Sequence, residues 1–157
     1  MEKVQSSLKK IASFTVDHTR LMPGMYISRV DGDVVTYDLR LCRPNHPPFM
    51  ETPAIHTIEH LFATLARNSE MSGDVIYFGP MGCRTGFYLL MRNPDHAAVI
   101  GLVKRITEDI AGWESGIPGT TPEECGNYLE HDLAGARQWA ERFLTVISHW
   151  DVNMLNY

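Results

Sequence analysis

Residues 54 to 67 read AIHTIEHLFATLAR, which places His56, Glu59 and His60 within one short segment whose apolar residues recur with helical spacing. On a helix, side chains four apart share a face. His56 and His60 can therefore offer two imidazoles to one ion, which is why H-x-x-x-H spacing recurs in metal sites. Glu59 is adjacent to one histidine and three positions from the other. From there its carboxylate can serve a metal-bound water or substrate as acid or base without ligating the ion. The full pattern, H-x-x-E-H, is also the inverse-zincin signature. On a polar helix such a trio would read as solvated surface. Here Ile55, Ile58, Leu61, Phe62 and Leu65 surround it, and a polar group left unpartnered near a core costs roughly 1–3 kcal/mol. A shared ion removes that cost, so the metal reading is preferred.

Two histidines need a third donor, and Cys83, His96, Cys125, His131 and His149 lie downstream. Cys125 is favoured: in PEECGNY it stands just ahead of a glycine, so its thiolate can approach an ion without crowding. A His₂Cys set with an open position is also a catalytic arrangement. His96 and His149 fall in amphipathic stretches and read as packing or surface residues. His131, six positions beyond Cys125 in LEHDLAGA, reads either as support behind the ligands or as a helix cap. Cys83 stands in GPMGCRTG, a glycine-rich stretch without periodicity. Such a loop at a strand end lets a side chain protrude and turns backbone amides toward a ligand. A lone loop cysteine is usually inert, but beside a metal and Arg84 it could carry protons.

These residues need elements to hold them. Residues 25 to 42, MYISRVDGDVVTYDLRLC, read as two strands around the turn dipeptide Asp31-Gly32, a β-hairpin. RPNHPPFMETP is too proline-rich to continue a sheet and delivers the chain to the histidine helix, for which Thr52-Pro53 is the expected N-cap and first turn. That helix should run to Asn68 and Ser69. DVIYFGP and TGFYLLMR are strands flanking the GPMGCR loop. After Asn93-Pro94, Val99, Leu102, Val103, Ile106 and Ile110 define one face of an amphipathic helix. GIPGTTPEECGNY is expected to be a loop leading into a short helix, and LAGARQWAERFLTVISHW a final helix. The order predicts an α+β fold, an antiparallel sheet covered by helices.

With 157 residues, 44% hydrophobic and 21% charged, the chain has the size of one domain with one core, taken as residues 1–157. A net charge of −5 with scattered basic residues argues against a nucleic-acid partner. The opening MEKVQSSLKKIASF lacks the apolar core of a signal peptide, and no apolar run approaches the roughly 20 residues that span a bilayer. A cytoplasmic protein with no membrane partner is expected. Three widely spaced cysteines, Cys42, Cys83 and Cys125, suit a reducing compartment better than a disulfide scaffold.

Five stretches carry a resemblance: SFTVDH (13 to 18), YDLRLCRPN (37 to 45), HTIEHLFAT (56 to 64), GPMGCRTGFY (79 to 88) and CGNYLEHDLAGA (125 to 136). In this order they resemble the S-ribosylhomocysteine lyase (LuxS) family over nearly the whole chain. The resemblance implies a LuxS-like α+β metalloenzyme fold and a homodimer with active sites at the subunit interface. It implies one divalent metal per subunit, natively Fe²⁺ and replaceable by Zn²⁺ or Co²⁺, on His56, His60 and Cys125. Glu59 and Cys83 would be the paired acid and base. Ser13, His18 and Arg40 would be substrate-side residues, partly contributed across the dimer, and Arg67 would hold the homocysteine end.

Those types suit the roles, since arginine matches a carboxylate and serine and histidine match sugar hydroxyls. Taken alone, Arg40 and Arg67 would read as surface charges. The implied reaction cleaves S-ribosylhomocysteine to homocysteine and 4,5-dihydroxy-2,3-pentanedione, the autoinducer-2 precursor, by carbonyl migration and β-elimination. It would serve methyl-cycle salvage and quorum sensing. One departure stands out: where many members carry DISPMGC, this chain has YFGPMGC, so Tyr77 replaces an aspartate.

Two other classes are weighed against this. A metallohydrolase would need either a carboxylate third ligand, as in inverse zincins, or the reversed H-E-x-x-H order of deformylase-like amidases. A non-enzymatic metal-binding protein is poorly served by His₂Cys without a fourth protein ligand.

Overall fold

The computed structural model describes residues 8–157; the first seven residues of the expected 1–157 domain lie outside the described part. Two hairpins supply the sheet. In the first, β1 (Gly24–Asp31) pairs antiparallel with β2 (Val34–Arg40), and Gly32 takes the left-handed conformation the tight turn requires (φ 61°). In the second, β3 (Val75–Pro80) pairs antiparallel with β4 (Gly86–Arg92). β2 and β4 join antiparallel from Val34↔Arg92 to Arg40↔Gly86, giving one sheet in the order β1-β2-β4-β3.

Among the described residues three α-helices complete the fold: α1 (Thr52–Arg67), α2 (His96–Ala111) and α3 (Leu133–Ile147). The expected α+β architecture is therefore present. Side chains alternate across a strand, and here the alternation separates two kinds of surface. Val35, Tyr37, Leu39, Phe87, Leu89 and Met91 are buried in the core with Ile58, Leu61 and Phe62 of α1, Val103 of α2 and Phe143 of α3. Phe62, Phe78 and Phe87 stack in series, with ring centroids 4.1 and 5.0 Å apart. The intervening positions of β2, Asp38 and Arg40, give the other face a buried polar pair.

Three local expectations are corrected. Thr52 is the first helical residue of α1 rather than its cap; Glu51 precedes it in extended conformation without a side-chain cap, and Pro53 occupies the first turn. No helix forms between Gly116 and Asp132, where the chain runs as a series of turns directly into α3. Two prolines and three glycines in that stretch break any helical run. The final helix stops at Ile147. The tail beyond it instead clips β1, through Trp150 Nε1–H to the Met25 carbonyl (2.8 Å) and Ile27 N–H to the Leu155 carbonyl (2.7 Å).

Candidate metal centre

The apolar residues of α1 turn its Ile55, Ile58, Leu61 and Phe62 side inward, which leaves His56, Glu59 and His60 half-buried along its border. The long turn-rich segment between α2 and α3 closes over that border. It supplies a backbone acceptor to each histidine: His56 Nδ1–H donates to the Glu130 carbonyl and His60 Nδ1–H to the Pro118 carbonyl, both at 2.8 Å. These bonds fix each ring so that its Nε2 lone pair is free, the usual support behind a ligating imidazole. Gly119 makes the second contact feasible. Its φ is +72°, and a Cβ there would stand 3.1 Å from His60 Nδ1.

The same segment brings in Cys125. Its Sγ lies 3.3 Å from His56 Nε2 and 3.8 Å from His60 Nε2. Local bonds set its position: Cys125 N–H donates to the Thr121 carbonyl (3.0 Å), and Asn127 N–H donates to the sulfur (3.5 Å). His131 joins the group as well. Ligand atoms of His56, His60, Cys125 and His131 all lie within 4.8 Å of one another, and the His131 ring stacks on His56 with centroids 4.0 Å apart. Burial, followed by the neighbouring His56 and His60, pushes the His131 pKa down to about 4. His131 therefore lies within the donor cluster itself rather than behind it. The capping alternative is corrected, because the α3 cap is Asp132, whose side chain accepts from Gly135 N–H at 2.9 Å.

A donor set of two imidazoles and a thiol, with both imidazole tautomers fixed from behind, fits a single divalent cation. Glu59 sits within the same turn of helix, and among the described residues its carboxylate has no hydrogen-bond partner. The third donor is a thiol, so the cluster lacks the carboxylate ligand that an inverse-zincin site would need. His96 and His149 stay apart from it: His96 Nδ1 shares a 2.6 Å hydrogen bond with the Tyr37 hydroxyl, and His149 is exposed.

Cys83 stands exposed at the tip of the β3–β4 hairpin. Arg84 beside it adopts a left-handed conformation (φ 61°) and reaches Thr52 Oγ1 at 3.3 Å, tying the tip to the start of α1. Cys83 Sγ lies 3.1 Å from Thr85 Oγ1 and 3.9 Å from Arg40 Nη1. Arg40 is buried; its Nη1 donates to Thr85 Oγ1 (2.8 Å) and its Nη2 to Asp38 Oδ2 (2.6 Å). Although burial opposes its charge, the Asp38 carboxylate holds the Arg40 pKa above its usual value. Arg40 thus reaches Cys83 within its own chain, as part of a buried network that Tyr157 completes through a 2.6 Å bond to Asp38. Sequence spacing gives no sign of this network, because Asp38 and Tyr157 are 119 positions apart. Cys42 is buried, and burial raises its pKa, which makes it an inert packing thiol.

The other expected residues lie elsewhere. Ser13, in the turn Ala12–Phe14, borders a shallow groove with Ser28, Arg29, Thr36 and Tyr88. His18 Nδ1 lies 2.8 Å from the Val16 carbonyl. Among the described residues neither bonds to the metal cluster. Arg67 donates to the carbonyls of Val75 and Ile76, joining the end of α1 to β3. Tyr77 is exposed, and its ring lies over Gly79, where a Cβ would collide with it.

Fold and site together define an α+β metalloprotein whose His₂Cys centre has a carboxylate beside it and a thiol-bearing hairpin tied to the ligand helix. The family model described as S-Ribosylhomocysteinase (LuxS) matches residues 11–154. Similar proteins include S-ribosylhomocysteine lyases of Borreliella afzelii (strain PKo), 44% identical over 96% of this chain and 99% of the relative, and of Clostridium acetobutylicum, 43% identical with the same coverage. That of Phocaeicola vulgatus is 42% identical over 96% of this chain and 98% of its own length. The chain belongs to the S-ribosylhomocysteinase (LuxS) family.

Proposed function

We propose that this protein cleaves S-ribosylhomocysteine to homocysteine and 4,5-dihydroxy-2,3-pentanedione. The observation that carries the reading is the convergence of His56, His60 and Cys125 at the helix that also carries Glu59, in a chain whose relatives bear the name of this lyase. When bound, a divalent cation supplies Lewis-acid polarisation of the sugar oxygens. His56, His60 and Cys125 hold it, and Fe²⁺ is the native ion of this proposal, with Zn²⁺ or Co²⁺ able to substitute.

The thioether sulfur is a poor leaving group on an unactivated carbon. Moving the sugar carbonyl from C1 to C2 and then to C3 makes the C4 proton acidic. Loss of that proton breaks the adjacent C5–S bond, and the sulfur leaves to become the thiol of homocysteine. Each shift needs one group to remove a proton from carbon and another to return one to the neighbouring position. Glu59, with no hydrogen-bond partner among the described residues, and Cys83, at an exposed tip beside the Arg40 guanidinium, are the two groups assigned to this relay. Ser13, His18, Arg40 and Arg67 complete the substrate side in a homodimer. The exposed apolar side chains Leu8, Ile11 and Phe14 support such an interface, at which Ser13 would meet a partner's pocket. The reading places one domain over 1–157 in the cytoplasm, with the product available for autoinducer synthesis; no helix among the described residues is long and apolar enough to cross a membrane.

The test is free-thiol release by the purified, metal-loaded protein from S-ribosylhomocysteine, beside a formylated peptide. Thiol release with an intact formyl group is the expected result. Deformylation without thiol release would replace the lyase by an amidase.

A further inference from the structure

His131 is the member of the histidine cluster for which the His₂Cys account has no use, and its surroundings differ from those of the other two. His56 and His60 each give Nδ1–H to a backbone carbonyl, which can only accept. His131 Nδ1 instead faces the Thr57 hydroxyl at 3.0 Å. That hydroxyl already accepts the Asp132 N–H at 2.9 Å, and Thr57 is fully buried. Its single hydrogen needs an acceptor, because a buried hydroxyl that donates to nothing is costly. Among the described residues the one group placed to accept it is His131 Nδ1. The ring is then the Nε2–H tautomer, with a lone pair turned to Thr57 and an N–H at the other end. His131 Nε2 is buried and has no partner. A buried N–H donor beside a metal centre matches an oxygen acceptor rather than the cation itself.

We propose that His131, held in this tautomer by Thr57, is the hydrogen-bond donor to the oxygen in the fourth position of the centre, and is not a fourth metal ligand. Thr57 is the positioning residue, acting through His131. The inference rests on the lyase reading only for the identity of that oxygen, a sugar carbonyl or hydroxyl. It makes the centre a three-ligand catalytic site with a directed proton donor, where coordination by His131 would give a closed, four-ligand structural site. The adjacent Cys125, His56 and His60 are left with their roles unchanged.

Histidine nitrogen NMR on the full-length zinc-loaded protein, with the His131 signals identified by their loss in His131→Gln, tests this directly. His131 should show a protonated Nε2 and an unprotonated Nδ1, the reverse of His56 and His60. A protonated Nδ1 with a zinc-bound Nε2 would overturn the proposal. Cobalt-loaded variants give a second reading. His131→Leu should keep one metal per chain and the cobalt d–d spectrum of the unaltered protein while kcat falls about 10–100-fold.

His131→Gln, whose amide can donate from a similar place, should lose less than His131→Leu. Thr57→Val should lower kcat and Thr57→Ser should restore it. Loss of metal or a changed cobalt spectrum in His131→Leu, or an unchanged kcat, would refute the assignment. If Thr57→Val does not fold, the NMR of the unaltered chain decides. A wild-type protein that shows the expected tautomers but releases no thiol would sink the lyase reading and leave the tautomer assignment standing.

Discussion

Glu59 lies on α1 with no hydrogen-bond partner among the described residues, whereas Cys125 Sγ is held among the ring nitrogens of His56 and His60. Glu59→Gln is therefore expected to retain one metal per chain while thiol release drops by about 10²–10⁴-fold, the usual worth of a general base. Metal analysis of the variant checks this, and an empty site would move Glu59 into coordination. Cys125→Ala should lose the metal, whereas Cys83→Ala should keep it and lose turnover. Cys83→Ser is the sharper form, since it preserves the hydrogen bond to Thr85 but replaces a thiol with a far weaker acid. Metal loss from both alanine variants would refute the division between them. At this scale the sequence was legible where chemistry is concentrated in one short run. Thr57 was not, because a threonine between a histidine and an isoleucine leaves no signal until Asp132 and His131 are folded against it. Taken alone, Arg40 reads as a surface charge because nothing local announces that Asp38, Thr85 and Tyr157 will enclose it.

The elements follow from period-2 and helical patterning: both hairpins, α1 and α2 lie where those patterns put them, and α3 stops at Ile147, short of the expected run. What patterning could not supply is the path from α2 to α3. Lacking any repeat, that segment is fixed by contacts with α1, through the carbonyls of Pro118 and Glu130 and the sulfur of Cys125. The short helix expected there would have turned those carbonyls into helical bonds and away from the histidines. Gly119 carries the consequence. In Gly119→Ala a Cβ enters the His60 contact from a strained left-handed backbone, so metal affinity should fall by about 10–100-fold. The fold itself should persist, because α1 and the sheet are held elsewhere. Chelator competition measures the affinity and circular dichroism the fold; unchanged affinity would remove the loop from the support of His60.

Across the whole molecule, the core buries the Tyr26 and Tyr37 rings, while Tyr88 is half-buried and Tyr157 stays half exposed with its hydroxyl on Asp38. Desolvation raises the pKa of Tyr26, Tyr37, Tyr88 and Tyr157 above the ordinary 10.0, with the Asp38 carboxylate adding to it for Tyr26, Tyr88 and Tyr157. A raised folded pKa means that the unfolded chain loses these protons first. The stabilisation is complete below about pH 10 and is lost as the pH rises beyond it. Alkaline titration of a Tyr77→Phe, Tyr128→Phe variant, which keeps only these four tyrosines, should therefore show phenolate absorbance appearing together with loss of the circular dichroism signal. Phenolate absorbance that appears in this variant while the fold stays intact would contradict this.

In the proposed reaction, a metal held by His56, His60 and Cys125 enables cleavage of a carbon–sulfur bond. The most direct measurement is free-thiol release from S-ribosylhomocysteine by one preparation assayed as loaded, after chelation, and after readdition of Fe²⁺ or Co²⁺. Homocysteine should appear, cease with the metal and return with it. Release that survives metal removal, or no release from the fully loaded protein, would contradict the claim.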